Sequence, residues 1–333
     1  MNKIKLPYSS PKIDTQKNIV IDVTYLCNYT CNYCRWGSAK THGRVHHPLE
    51  HVLANREDLR AIGAERVVLS GGEPLLHPNI SEIVQHYSSL VEDVILITNG
   101  WLAEIEKIHS LISDGLTGIA FSIDSVDPSI LSKTRDMTPN QITRTLSNFE
   151  DISNARNMGD VVVELGVNAV ISSENCSLTS IRNLLTWAEN NHLDYVNFNM
   201  IFDDGFSGTH APQLLLTPDY SENIIDIARN LETNPPQVHT NPANFWYTME
   251  KMLNGSSLDG ASCGLKERQA ILYRGQYHFC AWLDTPTLGK VGYTTSNSVE
   301  DARNRFVEAA KKCVTGPHCH CLQTTNHTWE LVN

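Results

Sequence analysis

The chain has 333 residues, 41 % of them hydrophobic and 19 % charged, with 37 acidic against 26 basic side chains and a formal net charge of −11. That length holds one barrel-sized domain plus a smaller one, and the composition is that of an ordinary globular protein rather than a disordered chain. The acidic balance argues against a nucleic-acid partner, and no apolar run reaches the ~18 residues that cross a bilayer.

Short β-rich runs alternate with longer amphipathic segments. NIVIDVTY (18–25) reads as a buried strand, and PLEHVLANREDLRAIG (48–63) as one helix starting at Pro48. ERVVLSGGEP is a strand running into a glycine turn, NISEIVQHYSSL a helix, EDVILITNG a strand, and LAEIEKIHSLISDG a helix closed by glycine. TGIAFSID makes a fourth strand, followed by a helical stretch around 139–157. DVVVELGVNAVIS (160–172) is a fifth strand, LTSIRNLLTWAENN a helix, and DYVNFNMIF (194–202) a sixth strand. This alternation implies an α/β fold with a parallel sheet and right-handed crossovers, either an open barrel or a doubly wound sheet. In both, ligands gather at the C-terminal ends of the strands. The unusual loops fall there: the cysteine triplet after strand one, GGEP after strand two, TNG after strand three, SIDS at the end of strand four.

The N-terminus, MNKIKLPYSSPKID, has no apolar stretch after its lysines and is not a secretory signal, so the chain reads as cytoplasmic. Nine unevenly clustered cysteines in that setting suggest metal ligands or catalysis rather than disulfides. Cys27, Cys31 and Cys34 lie within eight residues, and no fourth cysteine follows before Cys176. Thiolates at this density bind zinc or iron–sulfur clusters. Zinc would need His42, His46 or His47 to close its shell, whereas a cubane held by three thiolates keeps one iron open to a chelating ligand.

The C-x3-C-x2-C triplet, with aromatic Tyr33 before its last cysteine, resembles the signature of the radical S-adenosylmethionine (radical SAM) superfamily, and GGEP follows in the expected order. The resemblance implies a partial (β/α)6 barrel over residues 18–202 and a 4Fe-4S cluster on Cys27, Cys31 and Cys34. The cluster's open iron would bind the amine and carboxylate of SAM. Gly71, Gly72, Glu73 and Pro74 match the loop that meets the SAM amine; glycines admit close approach and an ammonium wants a carboxylate. Ser122, with Asp124 beside it, matches the position that binds ribose or the methionine carboxylate. Asn168 resembles the strand-five polar residue, Arg135 a basic residue near the SAM carboxylate, and Met200 a backbone contact to adenine. Tyr33 belongs to the same cofactor site. Read without the resemblance, these are a turn-capping serine, a sheet-edge asparagine, a surface arginine and a core methionine.

Residues 203–257 read as a loop-rich bridge with one helix near 218–231. Beyond it, Cys263, Gly275 and Cys280 stand in C-x11-G-x4-C spacing, ILYRGQYHFC alternates like a hairpin turning at Gly275, and SVEDARNRFVEAAKKC is a helical run to Cys313, followed by Cys319 and Cys321. This group resembles the SPASM and twitch extensions of radical SAM enzymes. It implies a C-terminal domain over 258–333 with one auxiliary 4Fe-4S cluster, held by Cys263, Cys280 and two of the other three cysteines. Five cysteines serve one such cluster, not two. A zinc knuckle using His318 or His320 is the alternative. Residues 1–17 are an N-terminal extension. With strand one beginning at residue 18, no fused peptide-leader domain is expected, which tilts the substrate towards a small sugar-type or natural-product molecule.

The resemblance as a whole implies a radical SAM oxidoreductase served by an external one-electron reductant of the flavodoxin or ferredoxin type. Its 5′-deoxyadenosyl radical would take hydrogen from the substrate, and the auxiliary cluster would accept an electron in a dehydrogenation-type outcome. Alternatives are a peptide-modifying maturase, an epimerase with Cys176 on the rim as hydrogen-atom donor, and a non-enzymatic iron–sulfur electron carrier. A carrier has no use for the GGEP carboxylate.

Overall fold

The computed structural model describes residues 17–34, 45–53, 55–201, 212–256, 261–263, 269–273, 276–278, 288–290, 292–314 and 329–331. Strands β1 (Asn18–Thr24), β2 (Arg66–Gly71), β3 (Asp93–Thr98), β4 (Gly118–Ser122), β5 (Glu164–Ile171) and β6 (Tyr195–Met200) pair in sequence order, all parallel. The crossovers carry α1 (Leu49–Leu53), α2 (Arg56–Ile62), α3 (Ile80–Ser88), α4 (Ile105–Ser113), α5 (Pro128–Arg135), α6 (Pro139–Met158) and α7 (Leu178–Asn190). The α/β reading from alternation therefore holds.

Period two along the strands decides which side chains meet the helices. Ile19, Ile21 and Val23 of β1, Val67 and Leu69 of β2, and Leu165, Val167 and Ala169 of β5 are buried in one apolar cluster with helix residues Ile83, Val84, Ile152 and Leu184. Helix ends carry their own signals. Asp127 caps α5 by accepting from Ser129 N, and Thr138 with Gln141 forms a capping box on α6. At the opposite strand ends, Arg66, the first residue of β2, bridges Asp93 and Glu164 at 3.3 Å each, all three buried. That end of the sheet is closed by ion pairs, so the C-terminal strand ends are left for chemistry.

Three departures from the sequence reading have physical causes. The helix expected over 48–63 is two helices. Asn55 between them is buried and donates to Val52 O at 3.0 Å and to Tyr87 Oη at 2.5 Å. The bridge holds more than one helix: besides α8 (Ser221–Thr233) it contains α9 (Ala243–Leu253), and β7 (His239–Thr240) adds to β6 in parallel. Phe245, Trp246 and Met249 of α9 join the same core as Ile224 and Ile227 of α8. The proline–asparagine turn signals NPPQ and NPAN just before it concealed this short apolar stripe.

The third departure concerns the C-terminal segment, which has β8 (Ala261–Cys263), β9 (Gln269–Tyr273), β10 (Gln276–His278), β11 (Gly289–Lys290), α10 (Ser296–Val314) and β12 (Trp329–Leu331). β9 and β10 pair antiparallel as the expected hairpin, but β9 also pairs in parallel with β1, from Asn18↔Gln269 to Ile21↔Leu272. The result is one ten-stranded sheet in the order β11-β10-β9-β1-β2-β3-β4-β5-β6-β7. Buried Asp58 of α2 fastens the same segment, accepting from Gly292 N at 2.6 Å and Thr294 N at 2.9 Å. Among the described residues no helix is long and apolar enough to cross a membrane.

Candidate active site

The cysteine loop leaves β1 at Thr24 and is laid directly on the glycine loop that leaves β2. Gly72 N donates to Thr24 O at 2.7 Å and Glu73 N to Leu26 O at 2.8 Å. A Cβ at Gly71, whose φ is +120°, would stand 2.2 Å from Thr24 O, and one at Gly72 would stand 2.1 Å from Leu26 O. Both glycines are therefore required by the approach of the chain to itself, a nearer cause than the approach of a ligand. On the far side, residues 45–47 pin the same stretch through Tyr25 N to Val45 O at 2.9 Å and His47 N to Val23 O at 3.2 Å.

Glu73 is 0 % exposed. Its Oε1 accepts from Leu75 N at 3.0 Å and Thr98 Oγ1 at 2.9 Å, and its Oε2 accepts from Asn99 N at 2.7 Å. It also caps the short 3₁₀ turn Pro74–Leu76, which Pro74 opens. Burial pushes its carboxyl up to about 7, against the pull of those donors and of Lys107. No cation lies within ion-pair distance of it among the described residues, since Lys107 Nζ is given to Leu75 O at 2.8 Å. Three donors leave one of the roughly four lone-pair sites of a carboxylate for a ligand. A buried carboxylate with no cation in direct contact among the described residues suits a ligand that carries an ammonium.

Cys27, Cys31 and Cys34 are free thiols, each partly exposed. Cys27 Sγ accepts from Tyr29 N at 3.4 Å and lies 3.8 Å from Asn99 Nδ2. Burial pushes its thiol up to about 11, and the neighbouring Cys34 and Glu73 add to the rise. The Cys31 thiol is raised further, by burial first, with Arg135 opposing and the other two cysteines reinforcing. Thiols so placed become thiolates when bound to metal, and each can then sit on a separate iron of a cubane. Among the described residues no three His, Cys, Asp or Glu side chains converge on one point as a single ion needs. His46 is engaged with Thr24 Oγ1 at 3.0 Å and His47 packs edge-on against Tyr25, while His42 lies outside the described residues. The donor set thus fits a thiolate-held cluster beside a buried carboxylate.

Asp124 gathers the rest of the site. Its Oδ2 accepts from Tyr33 Oη at 2.7 Å, and its Oδ1 from Arg135 Nη2 at 2.6 Å and Val170 N at 2.9 Å. Arg135 is no solvated surface residue: it is 6 % exposed. Burial opposes its charge, but Asp124, Tyr33 and Cys31 outweigh burial and raise its pKa. Asn32 ties the cysteine loop to α5 through Lys133 O at 2.8 Å and Thr134 O at 3.1 Å.

Ser122 ends β4 in register with Asn168 of β5, which is in register with Asn197 of β6, a polar row on the face away from the helices. Asn197 belongs to no motif, and the alternation in NFNM is its one signal in the sequence. Thr98 and Asn99 lie in TNG, which reads from sequence as a rim loop, and only the folded chain brings them onto Glu73. Met200 ends β6 with its side chain in the core. Cys176, expected on the rim, is 2 % exposed inside the main apolar cluster, and burial pushes its thiol up to about 12. The backbone of Cys263 lies in β8 and that of Cys313 in α10, whereas Cys280, Cys319, Cys321, His318 and His320 lie outside the described residues.

Residues 21–165 match the Radical SAM superfamily. The chain is 29 % identical over 137 residues to the AdoMet-dependent heme synthase of Methanosarcina barkeri, which is 41 % of this chain and 39 % of that one. It is 34 % identical over 117 residues to the GTP 3′,8-cyclase of Microcystis aeruginosa, 32 % of this chain and 34 % of that one. The chain therefore spans well under half the length of these curated relatives. Among solved structures, Streptococcus suis SuiB bound to its precursor peptide SuiA superposes with a TM-score of 0.63 at 12 % identity, over 92 % of this chain and 71 % of SuiB. Native anSMEcpe with bound AdoMet gives 0.62 at 17 % identity, over 89 % and 85 %. At such identities the likeness is one of fold.

Proposed function

We propose that this chain, whose residues 21–165 match the Radical SAM superfamily, is an enzyme that cleaves SAM reductively and turns the 5′-deoxyadenosyl radical on a C–H bond of a polar small molecule. The observation that carries this reading is the Cys27–Cys34 loop laid on the GGEP loop, beside a fully buried Glu73 with no counter-cation within ion-pair distance among the described residues. Cys27, Cys31 and Cys34 would hold the cluster. When bound, that cluster supplies the electron that breaks the sulfonium bond of SAM.

The protein's own part is to bind, orient and seclude. Glu73 and the main chain of Gly71–Gly72 would receive the SAM amine, with Thr98 and Asn99 holding the carboxylate still. Ser122 and Asn168 offer a hydroxyl and an amide one strand apart for the ribose or carboxylate. Asp124 fixes Tyr33 and Arg135, so these two shape the site rather than swing in it. The row continues to Asn197, and Asp22 faces Ser70 across β1 and β2. A polar lining of this kind favours a substrate rich in hydroxyl or amide groups.

The C-terminal cysteines complete the proposal. Cys263, Cys280 and two of Cys313, Cys319 and Cys321 would hold an auxiliary 4Fe-4S cluster in a SPASM- or twitch-like domain over 258–333, giving an oxidoreductase with a net two-electron outcome. A flavodoxin or ferredoxin would be the reductant. A peptide substrate is the second reading, favoured by the fold likeness to SuiB, which was solved with its precursor peptide and whose match extends over 92 % of this chain.

The test is anaerobic reconstitution with iron and sulfide, then dithionite and SAM. Formation of 5′-deoxyadenosine by the wild type, and its loss in Cys27→Ala, supports the reading. An iron-loaded wild type that never forms 5′-deoxyadenosine refutes it.

A further inference from the structure

We propose that Asn99, at the end of β3, is a positioning residue that raises the reduction potential of the cluster through a hydrogen bond to Cys27 while steadying Glu73. The inference rests on the reading above that Cys27 holds a cluster.

Asn99 is 8 % exposed, and each of its polar groups is spoken for. Its main-chain N–H donates to Glu73 Oε2 at 2.7 Å, and its carbonyl accepts from Thr145 Oγ1 at 3.3 Å. The side-chain Oδ1 accepts from Trp101 N at 3.1 Å. The side-chain Nδ2 donates to Asn28 Oδ1 at 2.8 Å and to Cys27 Sγ at 3.8 Å. An amide nitrogen has two hydrogens, one for each of these acceptors. The amide therefore cannot rotate or flip without breaking several bonds, and its N–H is aimed at the sulfur by the rest of the fold.

The three cysteines are not equivalent in this respect. Among the described residues Cys27 Sγ receives two donors, Tyr29 N and Asn99 Nδ2, whereas no hydrogen bond reaches Cys31 Sγ or Cys34 Sγ. Hydrogen bonds to a ligating sulfur stabilise negative charge there and favour the reduced, more negative form of the cluster. One of the two donors on Cys27 is main chain and resists substitution. The other is Asn99, whose backbone also grips the carboxylate proposed to meet the SAM amine. A single residue would thus join the electron-donating centre to the group that holds the electron's destination.

The experiment compares reconstituted wild type with Asn99→Ala and the isosteric Asn99→Asp, both of which lack the donor and keep the main-chain N–H on Glu73. EPR-monitored redox titration should give both variants a midpoint below the wild type. Pulsed EPR after exchange into deuterated water should show one exchangeable-deuteron coupling fewer. An unchanged midpoint with the coupling retained in either iron-loaded variant overturns the proposal. Failure of both variants to hold iron would make Asn99 a folding element and overturn the tuning role. A wild type that binds no iron brings down the functional reading itself, and this inference with it.

Discussion

Arg135 Nη2 lies 2.6 Å from Asp124 Oδ1 in an ion pair that is buried on both sides. The same carboxylate receives the hydroxyl of Tyr33, the residue before Cys34. One acidic side chain therefore ties the cysteine loop to β4, α5 and, through Val170 N, β5. The arginine that sequence resemblance put beside the SAM carboxylate spends its terminal nitrogen on this brace. Its Nε is buried with no hydrogen-bond partner among the described residues.

Removing the arginine leaves Asp124 buried without its counter-charge, so Arg135→Ala should cost about 3–5 kcal/mol of stability. Tyr33→Phe deletes one charge-assisted hydrogen bond and should cost about 1.5–3 kcal/mol. Urea denaturation of the two variants measures both. Equal costs, or a larger cost for the tyrosine, would show that the ion pair is not the centre of the brace.

The second prediction turns on proton linkage at Glu73. Its carboxyl is raised from 4.5 to about 7 by burial, so between those values the folded chain binds more protons than the unfolded one. Its contribution to stability is full below the unfolded value and is lost as the pH rises towards 7. An ammonium ligand needs the ionised form, so SAM affinity should run the other way, rising through pH 6–7 and levelling above it. Glu73→Gln should abolish this pH dependence and weaken SAM by on the order of 1.5–3 kcal/mol at pH 8. Titration calorimetry of the cluster-loaded protein at pH 6 and pH 8 decides; a flat wild-type profile would count against Glu73 as the amine's partner.

Cys176 provides the third. Its burial in the apolar core predicts that Cys176→Ala loses about 1 kcal/mol or more of stability and leaves SAM cleavage intact. With a known substrate, turnover in deuterated water should place no solvent deuterium on the product carbon, and the product should be two mass units lighter. A product one mass unit heavier that carries one solvent deuterium, lost in Cys176→Ala, would restore the thiol as a hydrogen-atom donor.

The fourth concerns metal content. Reconstituted protein should hold about eight irons per chain, as two cubanes, and the triple variant of Cys27, Cys31 and Cys34 to Ala should hold about four. Zinc in the C-terminal cysteine group, or full iron in the triple variant, would contradict the two-cluster proposal.

By itself the sequence determined the strand–helix alternation, the cysteine triplet and the glycine loop, because period and spacing are one-dimensional quantities that local geometry must obey. The laying of GGEP on the cysteine loop was not legible there: two glycines after a strand read as room for a ligand, whereas their missing side chains make room for Thr24 O and Leu26 O. What the alternation could not carry was the direction of individual side chains where strands end. Cys176 follows β5 closely yet turns into the core, and Asn99 aims its amide at a sulfur 72 residues earlier in the chain. Asp124 and Arg135 look like two unrelated polar residues until α5 folds back over β4. The hairpin after residue 268 read as part of a separate small domain, but β9 found the open edge of β1 and lengthened the sheet. An exposed strand edge accepts any segment with matching main-chain donors and acceptors, and which segment reaches it is decided only when the chain has folded.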